Sequence, residues 1–259
     1  MPNPLYDELF GRHAGKDTPF LHLPGGGSVS YRAFLETAAR LAHVIAGQGL
    51  VLGDRPAAQV EKSPEALAPY AACAAAGVVF LPLNTGYTVE EMAYFIEDSG
   101  ARLVVASPGR DAGLAPIAAR SGASVMTLGA DGAGTLTEAA RDMPASFPVA
   151  ERTQDDLAAF LYTSGTTGRS KGAMLTQQNL LSNAQTLTEY WRFTDADVLL
   201  HALPIFHTHG LFVATNVILV AGGSMIFLPK FDLDSVIAEL PRATSMMGVP
   251  TFYTRLLGD

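Results

Sequence analysis

The chain is predicted to fold as α/β, with two layered lobes of mainly parallel sheet flanked by helices. Two observations carry this expectation. Short apolar runs alternate with segments of helical periodicity along nearly the whole chain, and strands separated by helices of that length pair in parallel with helices on both faces. A polar stretch with two prolines and no clear period, residues 141–156, interrupts the alternation. The expected organisation is a first lobe over 1–140, a connector over 141–156 and a second lobe over 157–259.

The elements follow in order. "SYRAFLETAARLAHVIAGQGL" places Phe34, Leu35, Ala38, Leu41, Ala42 and Ile45 at helical spacing and stops at Gly49. "RPAAQV" predicts a short strand, and "SPEALAPYAACAAAG" a helix with Ser63 as cap and Pro64 at its first position. "VVFLPLN" is a strand, "TVEEMAYFIEDSG" a helix opened by Thr88, "RLVVAS" a strand, "LAPIAARSG" a helix and "SVMTLG" a strand. The second lobe begins with the strand "LAAFLYTS", a glycine loop, and a helix from about Thr176 to Tyr190. Beyond it "DVLLHAL", "GSMIFL" and "TSMMGV" are strands, while "GLFVATNVILVAG", "DLDSVIAELPR" and "PTFYTRLLGD" are helices.

Composition narrows the function classes. The 259 residues are 48% hydrophobic and 16% charged, enough for a large core and too apolar for disorder. A formal net charge of -8 argues against nucleic-acid binding through a general basic surface, so anionic ligands must be met by local devices. The single cysteine, Cys73, cannot form an internal disulfide, which fits a reducing cytosol, and a cytoplasmic location is expected. No basic segment followed by an apolar stretch opens the chain, so no signal peptide is expected. Residues 198–229 lack Asp, Glu, Lys and Arg, but Pro204, three histidines, Asn216 and Gly222-Gly223 interrupt them. That pattern suits a buried strand–loop–helix–strand unit better than a membrane span.

The segment "YTSGTTGRSKG", Tyr162 to Gly172, concentrates anion-binding chemistry. Gly165 and Gly168 let backbone N–H groups approach a ligand closely. Thr163, Ser164, Thr166, Thr167 and Ser170 add hydroxyls, and Arg169 and Lys171 add positive charge. The set matches a polyphosphate, yet it is neither a Walker A loop nor a G-x-G-x-x-G loop. A solvated glycine–serine turn is the plainer alternative.

"YTSGTTGRSKGAMLT" closely resembles the phosphate-binding motif of the adenylate-forming superfamily, which includes acyl-CoA synthetases, peptide-synthetase adenylation domains and luciferases. "AAAGVVFLPLN" and "LPIFHTHGL" resemble that family's "AG-x-x-YLPL" and "P-x-x-H" segments, in the same order. The resemblance implies the N-terminal part of the acyl-CoA synthetase large domain. It implies ATP held by residues 163–171, Mg²⁺ as a companion of ATP with Thr163 a contributor, and CoA as a substrate. It also casts Lys171 and His207 as catalytic, with His207 at the junction of acyl substrate and α-phosphate.

His201, His207 and His209 also raise a metal reading. A divalent site wants three or four ligands, and no neighbouring carboxylate or cysteine completes this one. His201 is expected to be a packed histidine and His209 a structural one. His207 lies just before a helix start near Gly210, where an anion is favoured.

In "MMGVPTFYTRLL", Arg255 falls one helical turn after Thr251. An arginine there suits a second carboxylate, which it can grip with two N–H bonds, whereas a surface ion pair is its ordinary fate. "GVPTFYTRL" and the segment 201–232 resemble the malonyl-CoA synthetase subfamily, which implies that Arg255 contacts the far carboxylate of malonate. The family continues with further loops, a metal-binding Glu and a C-terminal lid domain bearing a catalytic lysine. The chain is therefore expected to be about the N-terminal half of a longer enzyme, inactive without the remainder. Alternatives are a synthetase for methylmalonate or another short acid, and a truncated, non-catalytic nucleotide-binding module.

Overall fold

A computed structural model describes residues 3–163 and 170–258 of the chain. Asn3 opens α1 (Pro4–Leu9) by accepting the Tyr6 N–H, while its amide donates to the carbonyls of Ala74 and Ala150 at 2.8 and 3.0 Å. β1 (Pro19–His22) and β2 (Ser28–Ser30) form an antiparallel pair before α2 (Tyr31–Gly47), whose predicted apolar stripe is buried and whose first turn Ser30 caps. Then come β3 (Pro56–Gln59), α3 (Pro64–Ala76), β4 (Leu81–Pro82), α4 (Val89–Ser99), β5 (Leu103–Ala106), α5 (Asp111–Arg120), β6 (Ser124–Thr127) and α6 (Thr135–Ala140). Ser63 and Thr88 cap α3 and α4 as their positions predict. Residues 141–156 carry neither helix nor strand. Beyond them lie β7 (Leu157–Thr163), β8 (Lys171–Thr176), α7 (Gln177–Trp191) and β9 (Val198–His201). A π-helical segment (His209–Thr215) runs on into α8 (Asn216–Ala221), followed by β10 (Ser224–Phe227), α9 (Leu233–Glu239), β11 (Ser245–Met247) and α10 (Pro250–Leu257).

Among the described residues three sheets form. A four-stranded parallel sheet has the order β4-β3-β5-β6. A five-stranded sheet has the order β11-β9-β10-β1-β2, parallel except for β2. Sheet pairing thus crosses the 141–156 connector, since β1 and β2 lie in the sheet otherwise built from β9, β10 and β11. A third, two-stranded sheet is the antiparallel pair β7-β8, joined to the first sheet by a bridge between Phe80 and Ala159. The mainly parallel α/β expectation holds.

α3 is apolar on every side and buried from Ala66 to Ala75, as a helix without a polar face must be. It sits in the largest core, where Leu5, Phe20, Tyr31, Leu41, Tyr70 and Phe212 are essentially inaccessible. A second core behind the four-stranded sheet holds Leu81, Met92, Ile96 and Val104, and a third, smaller one holds Leu200, Ile226 and Val236. Cys73 is buried inside α3 and its thiol pKa is pushed far up by burial, so it behaves as the small hydrophobe expected. Among the described residues no helix is long and apolar enough to cross a membrane.

One element departs from expectation. The glycine loop does not run directly into a helix. It joins β7 to β8, and α7 begins only at Gln177, capped by Thr176. "KGAMLT" holds a glycine and residues of modest β propensity, so its strand is decided by pairing with β7 rather than by local preference.

Candidate active site

Thr163 ends β7 directly opposite Lys171, which begins β8, and the Thr163 hydroxyl approaches the Lys171 carbonyl at 3.4 Å. Both side chains are exposed at the loop end of the hairpin. Ser164, Gly165, Thr166, Thr167, Gly168 and Arg169 lie outside the described residues. Ser170 is described, and its carbonyl accepts the Tyr94 hydroxyl at 2.9 Å. On the other strand, the Tyr162 hydroxyl donates to Asp98 at 2.7 Å and its ring packs on Phe95 with centroids 4.4 Å apart. Burial, then the Asp98 carboxylate, pushes the Tyr162 pKa far upward, so this phenol stays a donor. α4 therefore braces both arms of the hairpin, through residues that the sequence reading did not single out.

The loop over residues 202–209, which overlaps the predicted segment Leu203 to Leu211, leaves the carboxyl end of β9 and returns through the π-helical segment, a rare geometry frequent at functional sites. His207 is exposed on this loop, its ring beside Phe206 at 4.6 Å, and partial burial lowers its pKa. A neutral imidazole at neutral pH can accept as well as donate. His209 borders a separate cavity near Trp191 and Tyr253. His201 is buried as expected, 1% exposed, but it is not merely packed: both ring nitrogens are hydrogen-bonded.

Arg255, in the last turn of α10, lies on the wall of a cavity of about 390 Å³, together with Lys62, Phe206, Lys230, Phe231 and Phe252. The Arg255 guanidinium carbon stands 5.1 Å from the centre of the Phe231 ring, which stacks on Phe252 at 4.1 Å. Among the described residues no carboxylate forms an ion pair with Arg255. Phe206 brings the His207 loop to this wall, while His207 itself is not part of it. The Arg255 cavity lies where the chain leaves the carboxyl ends of β3 and β9, the usual location for ligands in open α/β sheets.

Among the described residues no group of three or more His, Cys, Asp or Glu could hold a metal, so the three-histidine reading finds no support. The chemistry available at the hairpin mouth is hydroxyl and ammonium, suited to phosphate oxygens.

The sequence profile described as "AMP-binding enzyme" matches residues 11–259. The chain belongs to the AMP-binding enzyme family. Crystalline apo MatB from Rhodopseudomonas palustris is 54% identical, with a TM-score of 0.97, over 100% of this chain and 51% of that one. A feruloyl-CoA synthase of Amycolatopsis sp. is 36% identical over 88% of this chain and 45% of its own length. The mitochondrial malonate–CoA ligase ACSF3 of Mus musculus is 36% identical over 70% of this chain and 31% of its own length. The chain thus spans about half the length of MatB and less than half of the two curated relatives, and its fold is that of the N-terminal part of the acyl-CoA synthetase large domain.

Proposed function

We propose that this AMP-binding chain supplies the ATP phosphate loop and part of the malonate site of an enzyme that ligates malonate to CoA through malonyl-AMP. Arg255 carries the reading. It is a cation without an ionic partner among the described residues, held by an aromatic pair on the wall of a small cavity that also meets the His207 loop. A monocarboxylate pocket has no use for such a fork, whereas a diacid does. The 54% identity to MatB and the likeness to malonate–CoA ligases agree with it.

Two displacements are implied. One malonate carboxylate oxygen bonds to the α-phosphorus of ATP as the bond to the pyrophosphate oxygen breaks. The thiol of CoA then bonds to the acyl carbon as AMP leaves, and the thiol proton passes to a base. Residues 163–171 would hold the triphosphate, with Lys171 offsetting charge on its oxygens. Magnesium would enter with ATP and neutralise phosphate charge, and Thr163 is the hydroxyl this part of the chain offers it. His207 would orient the attacking carboxylate against the α-phosphate, positioning and charge stabilisation being the main work of such a site. Arg255 would hold the other carboxylate, so that one end of malonate reacts.

The test is acid-dependent ATP–pyrophosphate exchange by the whole enzyme that carries this chain. Malonate is expected to outpace butyrate and ferulate at least about tenfold, the scale of one lost polar contact. A preference for ferulate would overturn the diacid reading. In the same assay His207→Ala is expected to lose about 10²-fold in kcat, the usual cost of one transition-state donor. Unchanged exchange would remove His207 from the site. Methylmalonate is the second reading, because a cavity of about 390 Å³ leaves room for its methyl group.

A further inference from the structure

Lys62 follows β3 in the four-stranded sheet and is 8% exposed, with no acidic partner among the described residues. Its Nζ meets three acceptors: Nδ1 of His201 at 2.8 Å, the carbonyl of His201 at 2.8 Å and the carbonyl of Leu203 at 3.0 Å. The Phe227 ring lies 4.3 Å away on a further side. Burial pulls the lysine pKa down, yet three acceptors match the three N–H bonds of an ammonium. A neutral amine would turn its lone pair on one of them. The π face adds to the ammonium's support.

The tautomer of His201 follows from its neighbours. Nδ1 accepts from Lys62, so the ring proton sits on Nε2 and is donated to the carbonyl of Gly210 at 2.8 Å. The Thr215 hydroxyl donates to the same carbonyl at 2.9 Å. One chain of bonds therefore runs from the first sheet, through Lys62 and His201, to both ends of the 202–209 loop. Leu203 lies near the start of that loop and Gly210 directly follows its end. Phe206 and His207 lie between the two anchored points.

We propose that Lys62, acting through His201, is a positioning residue that sets where the 202–209 loop presents His207 to the reacting carboxylate and α-phosphate. This rests on the role of His207 given above. Lys62 borders the cavity of Arg255, but its three N–H bonds go to His201 and Leu203, so it holds the loop rather than the acid. Its removal lets the loop settle elsewhere without emptying the sites that bind ATP or the acid. A displacement on the order of 1 Å at a reacting group costs about 10²-fold in rate.

The experiment uses the whole enzyme and whichever acid the wild type adenylates fastest, so that a wrong substrate assignment does not decide it. Lys62→Met keeps the length of the side chain and removes its donors. The expected result is a fall of about 10²-fold in kcat for ATP–pyrophosphate exchange, with KM for acid and for ATP within about threefold of wild type. His201→Asn keeps an acceptor near the Nδ1 position and breaks the link to Gly210. It is expected to show the same split at smaller size, and Lys62→Met/His201→Asn to lose no more than Lys62→Met alone. A folded Lys62→Met enzyme with wild-type kcat, or a loss expressed in KM alone, overturns the proposal. Should Lys62→Met not fold, His201→Asn decides: a kcat loss at unchanged KM supports the proposal, and wild-type kcat overturns it.

Discussion

Replacing Arg255 by alanine is expected to lower kcat/KM for malonate by about 10³-fold, on the order of 4 kcal/mol, the cost of leaving one charge of a hydrogen-bonded pair without its partner. Butyrate, which places an ethyl group where malonate places its second carboxylate, is expected to change by less than about threefold. The geometry supports a difference of this size. Phe252 backs Phe231, Phe231 faces the guanidinium, and the fork is left on the cavity wall with no carboxylate of the described residues paired to it. The nearby Asp232 is turned elsewhere: it caps α9 by accepting the Ser235 N–H and hydroxyl at 3.0 and 2.6 Å. These bonds, before any effect of Lys230 or Arg255, hold its pKa low. Arg255→Lys keeps the charge and loses the planar fork, so an intermediate loss is expected. Steady-state kinetics with the two acids in parallel decide the matter, and equal losses for both would make Arg255 a structural residue.

Gly210→Ala is the second large effect. An added Cβ would sit well inside contact distance of the Pro204 carbonyl oxygen, 2.9 Å from its carbonyl carbon and 3.1 Å from Leu203 Cβ. Two of those atoms are backbone and cannot rotate aside. The start of the 202–209 loop packs directly on the first turn of the π-helical segment, and the glycine permits that approach. Its carbonyl also terminates the His201 and Thr215 bonds. Overpacking here is expected to cost about 3 kcal/mol and to lower Tm by on the order of 10 °C. Adenylation should fall with it, because the displaced backbone is the one that carries His207. Thermal melts and exchange assays on the same preparation test both parts. A Tm within about 2 °C of wild type, with full activity, would show that the loop gives way freely.

Several features were legible before any coordinates. Ser63-Pro64 and Thr88 sit where caps belong, and their helices begin there because the side-chain oxygens satisfy N–H groups that a helix leaves open. The stripe Phe34, Leu35, Ala38, Leu41, Ala42 and Ile45 is buried because its spacing leaves one face to cover. Cys73 reads as a core residue from its alanine-rich neighbourhood and is one. β8 was not legible. "KGAMLT" lacks alternation, and its strand exists because β7 lies beside it with matching register. Gly172 in that strand also faces the Phe160 ring so closely that a Cβ would overlap it, a constraint no local pattern reveals. β1 was equally hidden, since Leu21 and His22 find partners in Met225 and Ile226 of β10, more than two hundred positions away.

The candidate site divides along the same line. Residue chemistry suggested a polyphosphate loop ending at Lys171 and an anion site beside His207, while the roles of His207 and Arg255 were implied by the resemblance of their flanking segments. Only the tertiary structure braced the strands on either side of the loop with Tyr94 and Tyr162, and set Arg255 beside Phe231, a loop residue that stacks on Phe252 of α10. Lys62 shows the limit most plainly. In "VEKSPEAL" it resembles any solvated lysine, and its three acceptors come from a strand about 140 residues further along. Local sequence encodes propensity and chemistry, which act over a few residues. Whether a charge is buried, and what it then holds in place, depends on which distant backbone groups the packed fold brings within hydrogen-bonding reach.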